Sequence, residues 1–212
     1  MSEVLRTDVG QKVTGPGGQI PELVEDAIQK NRQAAEQSVA NLREYVERGV
    51  GDVGACIQWA CEALRWAVDA GVNVKDLEAQ FLELEKGALR QHAVKKIAAL
   101  RQYVEQGVGG VVTCIQGARV ALQWAADAGV NVKDLKAQFL ELEKDAIRRN
   151  AVEQVAALRQ CAEKGVGDAG TCIQGARMAL REAKTAGVNI KDLEAEMPGL
   201  VEAALTRTDL DQ

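Results

Sequence analysis

Apolar residues recur along this chain at helical spacing, and the pattern returns every 58 residues. Within residues 34–48, Val39, Leu42 and Val46 stand at i, i+3 and i+7, which places them on one face of a helix. Gly49 follows, where a glycine C-cap belongs. Residues 52–70 are apolar nearly all round, with polar positions narrowed to Gln58, Glu62, Arg65 and Asp69. A helix of that kind is expected to be buried on most sides. Asp52 suits its N-cap, as does Asp168 in the third copy, whereas the second has Gly110. Gly71 ends the segment. A third segment starts near Asn73, with Asn131 and Asn189 in the later copies as natural N-caps. Asp76, Asp134 and Asp192 put a carboxylate in its first turn, where the helix dipole favours negative charge.

Nothing in the pattern separates this third segment from the first segment of the next copy. Leu77, Phe81, Leu84 and Ala88 form one apolar stripe. Leu82, Leu89, Ala93, Ile97, Leu100 and Val104 form another, which crosses the junction without losing phase. One continuous helix of about 48 Å is the expectation. The alternative is a break near His92 or Asn150, where Asn150 with Glu153 three residues on is able to start a helix.

The recurrence amounts to internal duplication. Cys-Ile-Gln begins at Cys56, Cys114 and Cys172, and Gly-Val-Gly at Gly49, Gly107 and Gly165. Residues 71–91 and 129–149 match at 17 of 21 positions, which implies descent from one unit. The expected fold is all-α: tandem 58-residue three-helix repeats in an α-solenoid-like array, with fused three-helix bundles sharing long helices as the alternative. The expected organisation is a flexible tail at 1–19, a capping helix at 20–33, repeats at 34–91, 92–149 and 150–207, and a tail at 208–212. The capping helix rests on the likeness of residues 21–28 to residues 198–205.

Charge and composition then remove several function classes. The formal net charge is −5 with acids and bases interleaved, so nucleic acid is not an expected partner. Aromatic residues are 3%, too few for base-stacking platforms. No apolar run is long enough for a membrane span, and the N-terminus lacks a signal-peptide pattern, so the expected location is cytoplasmic. Five cysteines with no CxxC pair indicate neither a disulfide framework nor a zinc site.

Candidate chemistry is sparse. Cys56, Cys114 and Cys172 are small core residues on the plainer reading, with thiol-based metal handling as the weaker one. Cys161 replaces Tyr45 and Tyr103 of the other copies, which reads as a tolerant packing site. His92 is the single histidine and lies in the middle of a helical pattern. The Gly49-Val50-Gly51-Asp52 turn lacks the Lys-Ser/Thr of a phosphate loop. Glu83 and Glu85, with Glu141 and Glu143, lack the Glu-x-x-His that a two-metal bundle site requires.

The tryptophans are the most informative irregularity. Trp59 becomes Gly117 and Gly175 in the other copies, and Trp66 becomes Trp124 and then Glu182. Such replacement leaves space or lets helices approach closely. From the repeat itself and the absence of a convergent catalytic set, the expected function is a non-catalytic protein-interaction or assembly scaffold that binds a protein partner or self-associates, with no cofactor. The alternative is a small apolar ligand held between helices near Trp59, Trp66, Trp124, Gly117 and Gly175.

Overall fold

The computed structural model describes residues 20–49 and 51–210. The expected tail at 1–19 and the last two residues lie outside this range. Among the described residues the chain is an all-α array of seven helices. They are α1 (Ile20–Arg48), α2 (Val53–Asp69), α3 (Lys75–Gln106), α4 (Val111–Asp127), α5 (Lys133–Lys164), α6 (Ala169–Thr185) and α7 (Lys191–Leu210). The chain divides into two compact units at Glu85 and Lys86, inside α3.

The long helices are continuous. α3 passes His92 and α5 passes Asn150 without a break, each over 32 residues. The segment expected as a separate cap at 20–33 is likewise the first part of α1. α7 runs through Pro198 to Leu210, so the helix does not end at 207.

Glycine makes the corners. Gly49, Gly107 and Gly165 have φ of 67, 73 and 66°, in the left-handed region where a Cβ is strained. At Gly107 a Cβ would also stand 2.6 Å from Arg149 Nη2. Asp52 and Asp168 then cap α2 and α6, accepting from the Ala55 N–H at 2.8 Å and the Thr171 N–H at 2.7 Å. α4 starts at Gly110 with no side-chain cap.

Asn73, Asn131 and Asn189 each accept from the backbone N–H two residues on, that of Lys75, Lys133 and Lys191, at 3.3–3.4 Å. α5 has Val132 at its N-cap, and Asn131 stands one residue further out. The asparagine carbonyl does more. Arg32 donates to the Asn73 carbonyl at 3.2 Å and pairs with Asp76 at 3.3 Å. Arg90 does the same with Asn131 and Asp134, and Arg148 with Asn189 and Asp192. One guanidinium fork thus joins a long helix to the loop and first turn of a later one. Exposed pairs of this kind add little stability but fix orientation.

In the first unit α1 packs on α2; in the second α4 packs on α5, α5 on α6, and α7 on both α5 and α6. The short helices present alanine to their neighbours. α2 buries Val53, Ala60, Ala63, Leu64 and Ala67, and α6 buries Ala176, Ala179 and Ala183 with Ile173 and Leu180. Small side chains let helix axes approach, and the long helices fill the interface with Leu42, Leu100 and Leu158, all 0% exposed.

This packing corrects the expectation that residues 52–70 are buried on most sides. Only one face of α2 is buried; Trp59, Trp66 and Val68 are exposed. An apolar count registers the indoles as core, but the alanine stripe sets which face packs. Leu82, which begins the second apolar stripe, is also exposed.

Candidate interaction surface

Trp59 and Trp66 are seven residues apart on α2, so both project from one side of the helix. They are 60% and 62% exposed. Trp124 on α4 is 48% exposed and stacks on His92 of α3, with ring centroids 6.2 Å apart and planes at 17°. His92 is half-buried, and its ring shields part of the indole. None of the three tryptophans lines the open groove between α4, α5 and α6.

The glycines that replace Trp59 are explained by the long helices beside them. A Cβ on Gly117 would meet Lys96 Cδ at 3.6 Å, and a Cβ on Gly175 would meet Gln154 Oε1 at 2.7 Å. The space an indole would need is thus crossed by a side chain of α3 or α5. Gly175 does line an open groove of about 910 Å³ between α4, α5 and α6. Val111, Leu140, Ile147 and Met178 supply its apolar wall. Arg119 and Glu143, paired at 2.5 Å, supply a polar edge. Of the residues that the ligand-binding expectation grouped, Gly175 lines this groove, and the tryptophans and Gly117 do not.

The three repeated cysteines occupy three separate turns. Cys56, Cys114 and Cys172 are half-buried in the first turns of α2, α4 and α6. Each sulfur lies 3.3–3.8 Å from where a Cβ would stand on Gly51, Gly109 or Gly167. Among the described residues no three His, Cys, Asp or Glu side chains are grouped to hold a metal ion. Burial, with Asp52 nearby, pushes the Cys56 thiol up from its ordinary value. Burial, together with Cys161, does the same to Cys172.

Two arrangements were not anticipated from the sequence. The Tyr103 phenol, buried at the end of α3, donates to Glu153 Oε2 at 3.1 Å. Glu153 is held in turn by Arg149 at 2.8 Å, and Arg149 donates to the Val104 carbonyl at 2.6 Å. Burial first, then the bond to Glu153, pushes Tyr103 up to about 12. The signal available was the Arg149–Glu153 pair at i, i+4 spacing on one helix face. The second arrangement is at Cys161. Where the other copies have tyrosine, its buried thiol donates to the Gly167 carbonyl at 3.7 Å.

No described helix is long and apolar enough to cross a membrane. The chain matches no family model, no curated protein and no solved structure.

Proposed function

We propose that this chain is a non-catalytic helical-repeat protein acting as a protein-interaction or assembly scaffold. The exposure of Trp59 and Trp66 on one side of α2 carries this reading. Indoles lose little conformational freedom on binding and dominate interface energetics, so a solvent-facing pair on a rigid helix is a natural anchor for a protein partner. Alanine packing on the opposite face keeps that helix fixed. Native mass spectrometry on gently purified protein tests the reading. The wild type is expected to carry a partner mass or to appear as a multiple of the chain mass. The Trp59→Ala/Trp66→Ala variant, with unchanged helical circular dichroism, is expected to appear as the bare chain. A wild-type chain that is monomeric and captures nothing from its own extract would overturn the proposal.

A second reading is a small apolar ligand in the groove of α4, α5 and α6, supported by the Val111, Leu140, Ile147 and Met178 wall. The same spectrum would then show an extra small-molecule mass, which Met178→Arg removes and the tryptophan variant retains. That contrast separates the two readings.

A further inference from the structure

Cys161 ends one long helix and Cys172 begins the next short one, eleven residues later. The turn between them brings both thiols to Gly167. Cys161 Sγ lies 3.7 Å from its carbonyl oxygen, and Cys172 Sγ lies 3.5 Å from where its Cβ would stand. Burial first, and then the Cys161 thiol, holds the Cys172 thiol above its ordinary value. Gly165 and Gly167, with φ of 66 and 97°, form the tight corner that places them so. In the other two turns the facing residue is a phenol. Tyr45 Cδ2 and Cys56 Sγ both flank Gly51, and Tyr103 interacts with Cys114. The remaining cysteine, Cys61, is exposed on α2.

We propose that Cys161 and Cys172 are a redox modification site, forming a disulfide that staples α5 to α6 when a low-molecular-weight disulfide of the glutathione type supplies the oxidising equivalents. Cys172, the more accessible, attacks one sulfur of the oxidant as its thiolate. This breaks the oxidant's S–S bond, joins one half to Cys172 and releases the other as a thiol. The Cys161 thiolate then attacks the Cys172 sulfur, forms the protein disulfide and expels the second small thiol. Two protein thiols are oxidised, one small disulfide is reduced to two thiols, and the two protons pass to the leaving groups. Burial of Cys161 protects it from direct attack by bulky oxidants and leaves it in place as the resolving thiol.

The test is to expose the folded full-length chain to oxidised glutathione, alkylate the remaining thiols, digest and map the linkages by mass spectrometry. The expected product is a Cys161–Cys172 link that forms at least tenfold faster than any other pair and is reversed by dithiothreitol. The oxidised protein should melt roughly 5–10 °C higher, the effect of closing a short loop in the unfolded chain. Cys172→Ala should remove both effects while the reduced melting temperature stays within a few degrees of wild type. Cys161→Tyr, which restores the residue of the other turns, is a second control and should also remove the link. Glutathione adducts without the Cys161–Cys172 link would overturn the proposal. So would a link that appears only in denaturant.

Discussion

The turn after Tyr103 and the turn after Cys161 have nearly the same backbone and different interiors. Gly107 and Gly165 share a left-handed conformation, and Gly109 and Gly167 follow with φ of 104 and 97°. α4 and α6 begin at corresponding places. In the first turn a phenol fills the corner and bonds to Glu153 on the next long helix. In the other a thiol fills it and bonds within the turn, to the Gly167 carbonyl. The backbone of the corner is thus set by glycine, and the buried residue decides what the corner is tied to. A tyrosine ties it to a neighbouring helix; a cysteine ties it to itself.

The largest test of that comparison asks whether the surrounding core is the same in both places. Leu100 precedes Tyr103 and Leu158 precedes Cys161 by three residues, and both are fully buried. Leu100→Ala and Leu158→Ala should each cost about 3–4 kcal/mol in urea unfolding, and similarly. A large inequality would show that the two corners rest on different cores. Tyr103→Cys should cost roughly 2–3 kcal/mol, because a ring and its hydrogen bond are lost together.

The comparison also predicts an alkaline effect at the tyrosine corner, beside those of the raised Cys56 and Cys172 thiols. Tyr103 stays protonated in the folded chain up to about 12, against an ordinary value of 10.0. Between these values the unfolded chain gives up its proton while the folded chain keeps it, so stability falls as pH rises. The loss should amount to roughly 2 kcal/mol by pH 12, and Tyr103→Phe should remove that part of the slope. Glu153, Arg149 and Cys114 all act on Tyr103, and the Tyr45 phenol, also raised by burial, contributes a slope of its own. Unfolding followed by circular dichroism at stepped pH measures the difference.

Two smaller effects sharpen the picture further. Gly117→Ala should stabilise α4 by about 0.5–1 kcal/mol, since its Cβ enters ordinary contact with Lys96 and the backbone loses freedom in the unfolded chain. Gly110→Asp should add a few tenths of a kcal/mol by giving α4 the cap that α2 and α6 have. Both are thermal-melt measurements.

The helical class, the turn glycines and the long uninterrupted helices were legible in the sequence. Glycine announces a left-handed corner, and an apolar stripe that keeps phase through residues 92 and 150 announces a single helix. The direction in which α2 faces was not legible. Trp59 and Ala60 are neighbours in sequence with opposite fates, and the large apolar area of the indole makes the exposed one look the stronger core candidate. The close approach that alanine allows, rather than the size of the side chain, selected the buried face. The cysteine corner was half visible. The substitution of tyrosine by cysteine shows when the copies are aligned, but that both thiols border Gly167 needs the turn geometry. The groove at Gly175 depends on three helices and had no local signature beyond the glycine itself.

The continuity of α5 has a consequence for how such a chain can change over time. One helix carries the closing segment of one copy and the opening segment of the next, so no linker absorbs a change in length. Inserting one residue near Asn150 would rotate everything after it by about 100° and carry Val155, Leu158 and Cys161 off their buried face. From the 58-residue spacing of the sequence motifs, only length changes in whole steps of that size are expected to keep both the helical phase and the corner that follows.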